Sequence, residues 1–307
     1  MMKTRGKILA GLACALLLAG CASQPAPEAD AFFDVPRVGP TALDAVGKLP
    51  PVIDESSGLA ASGRVPGVFW THNDSGDAAR IFAISDTGEM VSPGDKGVAV
   101  VGAVNRDWEE IAGDFRGNLL IGAFGNNANR RTDLAIYQVP EPDPFTATRV
   151  EPTARWPIVY PDQTEFPPAN NNFDCEAMFV ASGELYLITK HRADTMATLY
   201  RLDSRETKTS NKLTLLQRAN LRGMVTAASS WNDGERVAVL TYGNVWLFEP
   251  ANRNGNMLFD APARWLPIRA HQAEAVAFLD RETLIITNEQ RGVFHLPISS
   301  MHEVTLR

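Results

Sequence analysis

The sequence predicts an all-β fold, a β-propeller of five four-stranded blades closed by an N-terminal strand. Three observations predict it. Apolar residues at helical spacing with caps are absent over most of the chain, while short β-rich runs bounded by turn residues recur. The runs repeat in one order. The repeat length, near fifty residues with four strands in each unit, is that of a propeller blade.

Each unit opens with a small or acidic residue leading into a short apolar run: SSGLAAS, DWEEIAG, DCEAMFV, VTAASSW and QAEAVAF. A second strand follows: GVFWTHND, NLLIGAFGNN, ELYLITKH, RVAVLTY and TLIITNEQ. The third strands are RIFAISD, LAIYQVP, TLYRLDS, NVWLFEP and GVFHLPI, most ending in a turn residue. A weaker fourth strand is visible in GVAVVGA, RWPIVYP, KLTLLQRA and RWLPIRA. Aligned on Ser57, Glu109, Glu176, Thr226 and Glu274, the units are spaced by 52, 67, 50 and 48 residues. The long unit carries an insertion, placed in EPDPFTATRVEPTARW and PDQTEFPPANNN. Six blades is the alternative, if that unit hides an extra one. A β-sandwich would leave five copies of one opening phrase unexplained. Only 33 residues follow Glu274, enough for three strands. The missing outer strand is expected from TALDAVGKL near the N-terminus.

The first residues belong to processing rather than to the fold. Lys3, Arg5 and Lys7 precede an apolar stretch from Ile8 to Gly20, too short for a permanent span. Leu18-Ala19-Gly20-Cys21 resembles the bacterial lipobox. The resemblance implies a cleaved signal at 1–20 and a lipid on Cys21. Ala22 rather than Asp after the cysteine implies sorting to the outer membrane, with the domain on its periplasmic or outer side. Several acyl chains on one cysteine give a stable membrane anchor. A Pro- and Ala-rich tether is expected over 21–42, and a single propeller domain over 43–307.

Loss of 1–20 removes three basic residues and no acidic one, taking the net charge from −7 to −10. An acidic chain argues against nucleic acid and anionic lipid as partners. Cys14 leaves with the signal and Cys21 takes the lipid, so Cys175 has no partner for a disulfide within one chain. A lone cysteine at a strand start reads as a small core residue.

In a propeller the innermost strands start at one face of a central channel, and the second strands end there. That face collects Ser57, Glu109, Glu176, Thr226 and Glu274. It also collects Asn73, Asp74, Asn126, Asn127, His191, Tyr242, Asn288 and Glu289. Two carboxylates about 6 Å apart repel by about 3 kcal/mol at an effective dielectric of about 20. Three in a ring therefore require compensation. A cation suits an all-oxygen site, and Glu109, Glu176, Glu274, Asn126 and Asn288 are the metal candidates, for Ca²⁺ or another divalent ion. Protonation is the second remedy. Pairing with Arg106, Lys190 or Arg291 is the third. A strand-start glutamate also serves by accepting backbone N–H groups from a neighbouring blade. Asn73, Asp74, Asn127, His191 and Glu289 are the candidates for ligand contact. His191 and Asp74 are the candidates for a general base.

Other chemistry finds no motif. There is no G-x-S-x-G, no H-E-x-x-H and no Cys/His pair at zinc spacing. NDSGDAARIFAI opens like a calcium loop but has Ile84 at its twelfth position, so it is not an EF-hand.

ESSGLAAS, VFWTHNDSGDAARIFAISDTGEMV and DWEEIA, in that order over residues 55–125, resemble the SdiA-regulated propeller proteins. More loosely they are similar to phytase-like and SMP-30-like propellers. The resemblance to SMP-30-like enzymes implies a divalent metal held by Glu, Asn and Asp at the channel mouth, and hydrolysis of lactones or esters. It places Glu109, Glu176, Asn126 and Asn288 in those parts, while Ser57 stands where a first-blade glutamate is wanted. Two functions follow as expectations. One is a lipid-anchored module that binds a small ligand, a glycan or a protein at a cation-organised mouth. The other is a metal-dependent hydrolase of esters, lactones or phosphoesters.

Overall fold

A computed structural model gives the fold, with residues 30–307 described; the leader and Cys21 lie outside the described residues. The chain is all-β and its strands form five sheets. Their innermost strands are Ser56–Ala61, Glu110–Gly113, Asp174–Ala181, Val225–Trp231 and Ala273–Asp280. From each the chain steps outward through antiparallel neighbours, as in Asp174–Ala181, Glu184–Lys190, Met196–Leu202 and Thr214–Asn220. Each inner strand touches the next, and Ala273–Asp280 touches Ser56–Ala61, so the inner strands close a ring.

Burial explains why the sheets stand this way. There are five apolar clusters among the described residues, each shared by two neighbouring sheets. Phe69, Phe82, Ala277 and Ile285 join the first sheet to the fifth. Sheets covered on both faces need no polar alternation, which is why LYLIT and VAVL read as continuous apolar runs. Trp108 packs in the cluster between the first and second sheets and donates Nε1–H to the Val104 carbonyl. Cys175 is fully buried in the next cluster, and burial pushes its thiol up. It is a core residue.

The predicted N-terminal closure is present. Ala45–Lys48 pairs antiparallel with Gly292–Pro297 and completes the fifth sheet. Two features differ from expectation. His302–Leu306 leaves the fifth sheet and adds to Ala263–Arg269 of the fourth. Residues 30–42, expected as tether, are bound to the domain. Phe33–Asp34 pairs with His302–Leu306, Thr41–Ala42 runs parallel to Ala263–Arg269, and Ala31 bridges Ala219. Phe33 is 4% exposed and lies 4.9 Å from the Trp246 ring. An apolar residue in a polar, proline-rich segment thus found a core site that composition does not reveal. The insertion forms no separate sheet. Its Arg149–Val150 runs parallel to Val98–Val100 at the edge of the first sheet.

A candidate acidic site at the channel mouth

The starts of the inner strands are bulged, and the bulges aim the site. Register skips one residue between Cys175 and Ala177, between Val225 and Ala227, and between Ala273 and Ala275. The skipped residues are Glu176, Thr226 and Glu274. Glu109 is their equivalent, because its N–H and the Glu110 pairing both fall on Gly122. In the first sheet the skip falls between Ser57 and Leu59, on Gly58. Ser57 therefore stands one position earlier than aligned from sequence. Gly58 has φ +75, and a Cβ there would lie 2.6 Å from the Ile111 nitrogen. The ring thus has a side-chain gap at its first position.

A cleft of about 200 Å³ opens over these starts. Six acids, Glu55, Asp74, Glu109, Glu176, Glu274 and Glu289, line it with only two bases, Lys190 and Arg192. Ser57, Asn127 and Tyr242 also face it. One side of the cleft is compensated. Lys190 Nζ lies 3.1 Å from Glu176 Oε1 and donates to the Tyr242 hydroxyl at 3.0 Å. Its ammonium also sits 4.8 Å from the Tyr242 ring centre. Burial opposes the Lys190 charge, but Glu176 and Glu274 hold its pKa above the ordinary value. Arg192 lies 2.7 Å from Asp174 Oδ2, 3.7 Å from Glu176 Oε1, and donates to Asn127 Oδ1.

The other side is not compensated to the same degree. Asp74, Asp107 and Glu109 each bring a carboxylate oxygen into a group whose members lie within 4.8 Å of one another. The nearest base is Arg131, 3.8 Å from Asp107 Oδ2, and it also donates to the Gly125 carbonyl at 2.6 Å. Burial, then the charge of Asp74, pushes Asp107 to about 7. Burial and neighbouring carboxylates push Glu109 and Glu176 well up, and burial raises Asp74. Burial likewise brings Glu274 to about 7 against the pull of Lys190, and its Oε2 is buried with no partner.

Gly125 is part of the site's shape. A Cβ on it would lie 2.0 Å from Glu109 Oε1 and 2.6 Å from Asp107 Cγ. Only a residue without a side chain lets the Ala123–Asn126 turn pass beneath these carboxylates.

The expected residues sort into three groups. Glu109, Glu176, Glu274, Asp74, Asn127 and Glu289 meet at the cleft. Asn73, Asn126 and Asn288 sit at the ends of the second strands, but their side-chain oxygens accept backbone N–H from Glu55, Arg131 and Gly292. They brace loops. His191 is not at the mouth. It lies in a separate pocket, bonded through Nδ1 to Asp194 and through Nε2 to Thr198, because the Lys190 and His191 side chains alternate across the strand end. Of the expected compensating bases, Lys190 is in place, whereas Arg106 pairs with Asp133, 2.8 Å away. Asp107 and Arg192 were not foreseen. Asp107 was visible in DWEEIA, but nothing in sequence says that a residue two before the bulge folds back onto it.

Glu110, next to Glu109, has a different office. It is fully buried, and its carboxylate accepts N–H from Leu59, Ile111 and Ala228. It occupies the register held by Ala177, Ala227 and Ala275 in the other strands. Those small residues leave room for one carboxylate on the channel axis. Burial pushes it up, and the backbone donors pull it back. The stitching role expected of strand-start glutamates belongs to Glu110.

No protein family matches the chain, and no curated protein does. Among solved structures, a chain of the mitotic checkpoint complex is similar at 10% identity, with a TM-score of 0.38. The match covers 78% of this chain and 63% of that one, so this chain spans under two thirds of its length. The major Malassezia sympodialis allergen Mala s 1 is similar at 12% identity and a TM-score of 0.48, covering 83% of this chain and 93% of that one. The propeller assignment rests on the sheets themselves, and neither likeness bears on function.

Proposed function

We propose that the protein is a binding module, a propeller of five blades, each of the five sheets being one blade. Its acidic mouth takes a divalent cation and, beside it, a small ligand, glycan or protein partner. One observation carries this reading: Asp74, Asp107 and Glu109 converge within 4.8 Å with a single base at 3.8 Å, whereas Glu176 and Asp174 already have theirs. Hard oxygen donors of this kind suit Ca²⁺ or Mg²⁺. Lys190, Arg192, Asn127 and Glu289 then flank the ion as ligand contacts. The test is metal content of the purified protein and thermal unfolding in EDTA and in Ca²⁺. Ca²⁺ should stabilise the protein, and Asp74→Asn/Asp107→Asn should abolish the effect. Equal Ca²⁺ stabilisation in that variant sinks the proposal.

A second reading is a metal-dependent hydrolase of esters, lactones or phosphoesters. The unpartnered Glu274 oxygen favours it, since a carboxyl near 7 that faces a cleft is placed to accept a proton. Metal-dependent turnover on a substrate panel, lost in Glu274→Gln with metal retained, separates this reading from the first.

We read the chain as an SdiA-regulated-type lipoprotein held at the outer membrane through Cys21. The support is the lipobox-like Leu18-Ala19-Gly20-Cys21 and the ordered motifs of residues 55–125. Palmitate labelling in cells, lost in Cys21→Ser, tests the anchor.

A further inference from the structure

The far ends of the inner strands enclose a second cavity, of about 480 Å³. Leu59–Ala61, Ile111–Gly113, Ala228–Trp231 and Phe278 line it, all at the ends of strands whose starts face the acidic cleft or flank it. The Glu110 carboxylate, bonded to Leu59 and Ala228, stands between the two openings. The two ends of one channel therefore differ in chemistry, one acidic and one apolar.

Ser229 aside, the side-chain donors of this second cavity are already engaged. Ser62 donates to Glu141, which also accepts from Gly63 and Trp70. Ser230 donates to the Val180 carbonyl, Asn118 to Asp114 and Asn232 to Glu235. Among the described residues of the lining, Ser229 offers a side-chain hydroxyl that no protein group takes. No lining residue carries positive charge, and the one lining carboxylate, Glu141, is buried and already holds three donors, so an anion finds no counter-charge, whereas a neutral guest with one polar atom finds the Ser229 hydroxyl.

Three aromatic residues face the space. Trp231 and Phe278 form a wall, their ring centres 6.0 Å apart. Phe115 stands at the rim, 50% exposed, with φ 57. A bulky residue in the left-handed region is costly and uncommon. The turn is built to hold it there: the Asp114 carboxylate accepts from the Arg116 and Asn118 N–H groups and from the Asn118 amide. Packing within the protein does not require this, because the ring is displayed to solvent.

We propose that this cavity binds a neutral, compact aromatic molecule carrying one hydrogen-bonding group. Its ring lies against Trp231, Phe278 and Phe115, and its polar atom meets the Ser229 hydroxyl. The site is independent of the cation reading of the other mouth.

N-phenyl-1-naphthylamine, neutral with a single N–H, is the probe. Titrated into the full chain, it should give a saturable fluorescence rise at one probe per chain. Ser229→Trp fills the cavity and should abolish the rise. Phe115→Asn should weaken binding about five- to tenfold, the scale of one aromatic contact. Asparagine tolerates a positive φ, so this variant keeps its fold and decides the matter even if Ser229→Trp does not fold. Glu109→Gln, at the other mouth, should bind the probe as the unchanged protein does. Absence of saturable binding overturns the proposal, and so does unchanged affinity in Phe115→Asn.

Discussion

Lys190 and Glu176 form an ion pair inside the wall of the acidic mouth, Nζ to Oε1 3.1 Å, with each side chain 4% exposed. The Lys190 charge acts on Glu176, Glu274 and Tyr242 together. Removing one partner of a buried pair leaves the other uncompensated and costs about 3–5 kcal/mol. Lys190→Met should therefore lower unfolding free energy by about 3 kcal/mol at pH 8. Lys190→Met/Glu176→Gln should lose less than the sum of the single changes. Denaturant unfolding of the four proteins checks it, and strict additivity would contradict the pairing.

Glu110 is expected to be the more severe site, although it is no part of the mouth. Its carboxylate satisfies three buried N–H groups from three inner strands. Glu110→Gln keeps one oxygen and turns an NH₂ toward donors. Each unsatisfied buried donor costs about 1–3 kcal/mol. A loss of about 3 kcal/mol is expected, measured by denaturant midpoint, whereas Glu109→Gln should be tolerated.

Stability in EDTA should fall as pH rises. Unfolded Glu274 and Asp107 release their protons near the ordinary values of 4.5 and 3.8, while the folded carboxyls hold theirs to about 7. Between those limits the folded state binds more protons, so rising pH favours the unfolded state. The contribution of these two groups runs from about pH 4 to about pH 7 and is opposed by His72, which burial lowers from 6.5 to about 4, so it is read as the difference in slope from the variant. Melting temperatures across that range check it, and Asp107→Asn should flatten part of the slope.

Gly125→Ala tests the floor of the oxygen cluster. The added methyl would overlap Glu109 Oε1 and press on Asp107. The carboxylates must move apart, so the Ca²⁺-dependent rise in melting temperature should shrink or vanish. The effect should exceed that of Gly243→Ala, where an added Cβ meets nothing within 4 Å.

The repeat was legible because bulk burial writes itself into local pattern. Strands covered on both faces are apolar throughout, and their spacing needs no contact map. The outer strand Ala45–Lys48 could be inferred because the last unit was one strand short. The turn back of His302–Leu306 onto the fourth sheet could not, since its alternating polar residues describe an edge without saying which edge. The site was legible only as a neighbourhood. Glu109, Glu176 and Glu274 share a bulge register, and alignment of opening phrases finds that. Ser57 slipped by one because Gly58 holds the bulge without a side chain to mark it.

The sequence by itself determined the all-β repeat, the closing strand and the end of the strands where acid gathers. These follow from composition and period, which are local. Tertiary structure decided which carboxylate does what. Glu109 and Glu110 are adjacent in the chain, yet the bulge parts them, one to the mouth and one to the backbone N–H groups of its own strand and two neighbours. Lys190 and His191 part as well, one to the carboxylates and one to a pocket elsewhere. Charge compensation depends on a few ångströms across chain separations of tens of residues, and no local pattern encodes that distance.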